Sequence, residues 1–146
     1  MNDLKNCSER AIHFKKARLQ RQRELAEDYT EMIADLIALQ GKVRVCDIAR
    51  EMGISHVSVL KTIKRLTRDG YLMRDLHPLI DLTEKGKEMA SFSKKKHLIL
   101  SHFLRKLGIS ENIVATDVEG IEHYISPETL HALEEHLQTL KDGTSS

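Results

Sequence analysis

Apolar residues recur at helical spacing over the first half of the chain. Leu25, Tyr29, Ile33, Leu36 and Ile37 share one face of a helix whose other face carries Asp28, Glu31 and Asp35, and Gly41 supplies a stop. A short connector and a second helix, Val45 to Met52, follow. Gly53-Ile54-Ser55 then reads as a tight turn into a third helix. Ser55 is a good N-cap there, and Ile54 and Val59 are spaced as a hydrophobic staple across it. Gly70 closes that helix. Two short runs, Tyr71 to Arg74 and Leu79 to Leu82, flank a turn at His77-Pro78 and predict a hairpin, after which Thr83 is placed to cap the next helix. Helix, helix, turn, helix and hairpin in this order make a winged helix-turn-helix.

The second half predicts helices. A long polar helix runs through Lys94-Lys95-Lys96-His97 into the apolar Leu98 to Leu107 and ends at Gly108. Ser110 is placed to cap the next helix, with Ile109 and Val114 as its staple. Ser126, followed by Pro127 at the first helical position, is placed to cap the last, with Ile125 and Leu130 as its staple. In that last helix Leu130, Leu133, Leu137 and Leu140 alternate three- and four-residue spacing, a narrow seam suited to packing on another helix. A partner subunit is the natural candidate, with the chain's own domain as the alternative. The sequence contains no internal repeat, and the tail from Asp142 to Ser146 is predicted to be disordered.

Composition narrows the class. At 146 residues, 40% hydrophobic and 31% charged, the chain has room for one ordinary domain or two small ones and excludes a large multidomain enzyme. The longest apolar runs, such as Leu98 to Leu100, are far shorter than the roughly 20 residues of a membrane span. The first ten residues lack the apolar stretch of a secretory signal, and Cys7 and Cys46 are the only cysteines. The expectation is a cytoplasmic chain without membrane contact, disulfide framework or cysteine-rich zinc site.

Charge changes the picture more. The net +1 conceals a segregated distribution: residues 1–106 carry 22 Lys/Arg against 14 Asp/Glu, a balance of +8, and residues 107–146 carry one Lys against 8 Asp/Glu, a balance of −7. A basic body suits a polyanion, and an acidic end suits cations or solubility alone. Phe14 to Arg23 holds five basic residues and no acid. It reads as a frayed arm or the exposed start of a helix, suited to phosphate contacts.

Two constellations carry chemistry. With Leu60, Ile63 and Leu66 kept for the core, the third helix leaves Ser55, His56, Val57, Ser58, Lys61, Thr62, Lys64 and Arg65 at or near a major-groove surface. Arg68 and Arg74 of the wing suit the DNA backbone. Winged helices also dock on proteins, so the pattern alone leaves both partners open. In D117-V118-E119-G120-I121-E122-H123, Glu119, Glu122 and His123 stand at i, i+3 and i+4 of a helix, within reach of one cation. Taken separately, these residues, the Asp28/Glu31 pair and His97 also fit ordinary solvated helix faces. An enzyme is disfavoured. The single Glu-x-x-His spacing, Glu128 to His131, has no second copy for a di-metal centre, and there is no phosphate loop or nucleophile elbow.

E-D-Y-T-E (Glu27 to Glu31), S-x-x-S-V-x-x-x-I (Ser55 to Ile63), L-T-E-K-G (Leu82 to Gly86), K-H-L-I-L (Lys96 to Leu100), F-L-R-K-L-G-I (Phe103 to Ile109) and D-V-E-G-I-E-H (Asp117 to His123) together resemble the DtxR family of metal-dependent transcriptional regulators. The resemblance covers about residues 25 to 140 and is closest to the branch that regulates manganese transport. It implies a mainly α fold, with an N-terminal winged helix-turn-helix domain followed by an all-helical dimerisation domain. The expected division is a basic arm over 1–23, the DNA-binding domain over 24–90, the metal-binding and dimerisation domain over 91–142 and a tail over 143–146.

The resemblance further implies a homodimer on a palindromic double-stranded DNA operator, with Leu130, Leu133, Leu137 and Leu140 as its candidate interface. Metal would lie between the domains, with Asp28, Glu31, His97, Glu119, Glu122 and His123 as ligands. Four carboxylates and two imidazoles form a hard donor set suited to one or two Mn(II) per subunit, while Fe(II), Zn(II), Co(II) or Cd(II) can also bind in vitro. Iron-responsive members carry Met in place of Asp28 and Cys in place of Glu119. The implied function is repression of manganese uptake genes. The alternatives are an Fe(II)-responsive repressor of the same family and a winged-helix regulator of a non-metal ligand. Tyr124 stands where close relatives often have a second His, and 146 residues leave no room for the SH3-like third domain of the iron-responsive members.

Overall fold

The computed structural model describes residues 7–74 and 78–142. His77 of the expected turn, residues 1–6 of the arm and the tail from 143 lie outside the described residues. In chain order the elements are α1 (Cys7–Gln40), β1 (Val43–Arg44), α2 (Val45–Met52), α3 (His56–Arg68), β2 (Leu72–Arg74), β3 (Leu79–Leu82), α4 (Glu84–Lys106), α5 (Glu111–Ile121) and α6 (Pro127–Asp142). The chain divides into two compact units, Met1–Lys87 and Glu88–Ser146. Among the described residues no helix is long and apolar enough to cross a membrane.

In the first unit, Tyr29, Ile33 and Leu36 of α1 share a buried core with Ile48 of α2, Val59, Ile63 and Leu66 of α3, and Val43, Leu72, Ile80 and Leu82 of the sheet. The strands are antiparallel in the order β1-β3-β2, with Val43 opposite Ile80 and Leu72 opposite Leu82. The hairpin follows the sequence pattern. β1 does not, because two residues are too short for alternation to show; Asp47 ends it by accepting the Arg44 backbone N–H at 2.8 Å.

The turn into α3 is built as its residues require. Gly53 takes the left-handed conformation at φ +66°, and Ser55 accepts the backbone N–H of Ser58 at 3.2 Å. Thr83 caps α4 by accepting the N–H of Gly86 at 3.1 Å while its hydroxyl donates to the Gly70 carbonyl at 2.6 Å. Any side chain at Gly86 would collide with the Tyr71 carbonyl oxygen, so this close approach requires glycine. Phe14 to Arg23 is the exposed start of α1, which runs unbroken from Cys7.

The second unit is helical. Leu100, Val114 and Val118 form one buried cluster, and Ile99, Leu130 and Leu137 form another, with Ile125 and Leu133 packed against both. The leucines of the expected interface seam divide. Leu130 and Leu137 are buried with Ile99 of α4 in the unit's own core, and Phe103 packs beside them, whereas Leu133 is half-buried and Leu140 exposed. Ser126 caps α6 through the Thr129 N–H at 3.1 Å. Ser110 makes no side-chain cap to α5; Ile109 and Val114, both in the Leu100 cluster, anchor that end instead.

Candidate metal centre and nucleic-acid interface

In the first unit, the first turn of α3 stands in solvent. Ser55, His56, Val57 and Ser58 are exposed, as are Lys61 and Lys64, while Thr62 is half-buried. Val57 is 76% exposed, an apolar side chain that the fold itself does not use. Two expectations are modified. Leu60 is only half-buried, and so is Arg65, whose Nη2 is buried without a hydrogen-bond partner among the described residues. Arg68 is exposed and lies 3.7 Å from Asp69. The backbone of Arg74 belongs to β2; its side chain lies outside the described residues. The resulting surface is polar and cationic with one apolar tip, able to meet phosphates, base edges and a thymine methyl.

In the second unit, His97 from α4 and Glu119 and Glu122 from the end of α5 come together, with one donor atom from each lying within 4.8 Å of the others. His97 Nδ1 is 3.0 Å from Glu122 Oε2, and His123 Nε2 is 3.7 Å from Glu122 Oε1. The motif is not helical throughout. α5 ends at Ile121, Glu122 is its C-cap with right-handed φ and ψ, and His123 follows in a turn. Glu119 and Glu122 therefore keep the i, i+3 relation while the turn swings His123 toward Glu122.

Glu122 is the unusual member. It is 4% exposed, and this burial pushes its carboxyl above the usual carboxylate range. The His97 hydrogen bond opposes the shift, and the nearby Glu119 charge adds to it. A buried carboxylate flanked by a second acid and two imidazoles suits a divalent cation, which would satisfy the oxygens and offset the charge. No sulfur ligand belongs to the cluster. Where the His97 N–H at Nδ1 donates to Glu122, Nε2 carries the imidazole lone pair.

Asp28 and Glu31 sit one turn apart on α1 in the first unit, exposed and half-buried respectively. The Lys94-Lys95-Lys96 run, which reads as one solvated stretch, splits. Lys95 pairs with Glu134 at 3.2 Å, whereas Lys96 is buried with its ammonium 5.4 Å from the Phe92 ring centroid. No signal in three consecutive lysines marks which one turns inward. The second unit also carries a groove of about 790 Å³ floored by Phe103, Leu104, Ile125 and Leu133 and edged by Ile121 and Tyr124. Sequence spacing did not reveal it.

Two family models match the chain: "Iron dependent repressor, N-terminal DNA binding domain" over residues 23–75 and "Iron dependent repressor, metal binding and dimerisation domain" over residues 83–143. The transcriptional regulator MntR of Salmonella typhimurium (strain LT2) is 37% identical over 146 residues, which cover 100% of this chain and 92% of the relative. Among solved structures, the manganese regulator SloR matches with TM-score 0.67 at 27% identity, over 77% of this chain and 53% of that one. ScaR with bound Zn2+ matches with TM-score 0.68, also at 27% identity and over the same shares. The chain thus spans nearly all of the curated relative but about half the length of the solved structures.

Proposed function

The chain belongs to the iron-dependent repressor, or DtxR, family of DNA-binding transcriptional regulators, and from that membership we propose that it is a Mn(II)-responsive repressor of manganese uptake genes. The observation that carries the metal assignment is the all-oxygen-and-nitrogen cluster of His97, Glu119 and Glu122. A hard carboxylate and imidazole set favours Mn(II) chemistry over the sulfur-containing sets of iron-responsive members. Intrinsic affinity rises from Mn(II) through Fe(II) to Zn(II), so Mn(II) selectivity comes from site geometry and metal supply.

Asp28, Glu31 and His123 complete the proposed ligand set, giving it groups from both units. Within the second unit the Glu119 and Glu122 charges oppose one another, and the His97 hydrogen bond offsets part of this at Glu122. Bound Mn(II) would supply the positive charge and the coordinate bonds that favour one arrangement of the two units. The winged helices of a homodimer then populate the separation at which both α3 helices meet successive major-groove half-sites of a palindromic operator. Ser55 to Ser58, Lys61, Thr62, Lys64 and Arg65 read or grip that site, with Arg74 at the wing.

Self-association belongs to the second unit, the part matched by the dimerisation model. With Leu130 and Leu137 buried in the unit's own core, the apolar groove floored in part by Leu133 and edged by Ile121 and Tyr124 is its interface. Titrating Mn(II), Fe(II) and Zn(II) while measuring affinity for promoter DNA at fixed salt tests the whole reading. Mn(II) is expected to tighten binding at least about tenfold, and equal affinity with and without Mn(II) sinks it. A response to Fe(II) with none to Mn(II) transfers the assignment to iron.

A further inference from the structure

The first seventeen residues of α1, 7–23, stand outside the part of that helix that builds the core. Ser8 through Lys16 are exposed, as are Arg18, Leu19 and Arg21 to Arg23. Ile12, Phe14 and Leu19 are each at least 56% exposed, so even the apolar side chains here find no core. Arg10, Lys15, Lys16, Arg18, Arg21 and Arg23 are opposed in this segment by Glu9 alone. Arg23 reaches Glu27 at 3.2 Å; the other five cations make no ion pair among the described residues.

Elementary helix physics makes this segment costly by itself. A free helix of this length is marginal in water, and Lys15/Arg18 and Arg18/Arg21 are like-charge pairs at i, i+3. The segment is held helical by continuity with the buried turns from Ala26 onward. Its cations are spread around the helix with no single charged stripe, which suits a surrounding polyanion better than a protein groove. Arg10 to Arg21 span about 16.5 Å at the usual rise, so the five cations average about 4 Å apart along the axis, in unequal steps. The phosphates of one DNA strand repeat at about 3.4 Å.

We propose that the 7–23 extension of α1 is a second DNA-contacting element, a cationic rod that binds phosphates and carries none of the sequence reading. The inference rests on the DNA-binding function proposed above. Phosphate contacts fix position and add affinity on any sequence, so the extension strengthens operator and random DNA by the same factor. It also steepens the salt dependence through released counterions.

The test replaces Arg10, Lys15, Lys16, Arg18 and Arg21 together by Gln in the full chain, because Gln keeps helix propensity while removing charge. Affinities for the promoter duplex and for a random duplex of equal length are measured with Mn(II) at several salt concentrations. The expected result is a slope of log Kobs against log salt reduced in magnitude by at least about 2. Both duplexes should lose affinity by a similar factor of at least about tenfold at 0.15 M salt, with their ratio unchanged. Conversely, adding a cation by Gln22→Arg should steepen the slope by about 1.

An unchanged slope in a variant of native helicity overturns the inference while leaving the repressor reading intact. So does a fall in the promoter-to-random ratio, or a loss of dimer with DNA slope retained, which would assign the rod to the acidic unit of a second copy. Absence of DNA binding by the wild-type chain overturns both proposals together.

Discussion

The start of α3 and the end of α5 are both polar helix termini, yet the fold treats them in opposite ways. At α3 every side chain from Ser55 to Ser58 stays in water, and the local hydrogen bonds of Ser55 satisfy the helix end without help from elsewhere. At α5 the C-cap residue Glu122 is taken out of water and leaned against His97 at 3.0 Å. A reading surface has to keep its groups solvated until a base edge replaces the water, and it tolerates charge because phosphates oppose it. A sensing site must do the reverse. A carboxylate that is already desolvated loses little more when a cation arrives and gains much from it, whereas an exposed one remains well served by water.

That contrast is broken most decisively at Glu122. Glu122→Gln removes the buried charge and keeps the shape, and Mn(II) affinity measured by calorimetry should fall at least about 100-fold, beyond the 10–100-fold typical of residues that merely support a ligand. Metal-free binding to random DNA should not change. The wild-type site should also lose Mn(II) affinity as pH is lowered, because the raised carboxyl of Glu122 takes up a proton at higher pH than an ordinary Glu and the proton competes with the cation. A Mn(II) affinity that varies by about twofold or less between pH 5 and 8 contradicts this.

Next in size is the reading surface. Val57→Asp places a negative charge where a methyl contact and phosphates are expected, and promoter affinity should weaken by about 1–3 kcal/mol. Thermal stability and Mn(II) affinity should stay near wild type, since Val57 is exposed. A large drop in melting temperature would mean that this turn is structural instead. The smallest effect is expected at the groove of the second unit: Ile121→Lys, at its edge, should raise the dimer dissociation constant about tenfold in metal-free sedimentation. An unchanged monomer–dimer equilibrium moves the interface elsewhere.

The features legible in the sequence are those set within one turn of chain. Ser55, Thr83 and Ser126 cap where their positions say, because an N-cap needs only its own hydroxyl and an N–H two or three residues on. Ser110 shows the limit of that rule: the same residue type in the same position leaves its helix end to packing by Ile109 and Val114. The recognition helix was readable from Ile63 and Leu66, which are buried as their spacing says, whereas the third core place expected of Leu60 is taken by Val59. The leucine seam of α6 was equally clear as a pattern, but a pattern states that a face will be covered and not by which partner. Here α4 covers it.

The candidate ligands divide the same way. Glu119 and Glu122 were neighbours on any helix, but His97 lies 22 positions before Glu119 and joins them only because α4 and α5 pack through Leu100, Val114 and Val118. Their grouping was visible beforehand through resemblance to a family, not through spacing. Composition and periodicity are local quantities, so they suffice for element type, caps and the charge imbalance between the basic body and acidic end. Which lysine of three is buried, which carboxylate loses its water and which leucines remain for a partner depend on neighbours distant in the chain. Those distinctions follow from packing, because burial is a property of the assembled neighbourhood and not of the residue that undergoes it.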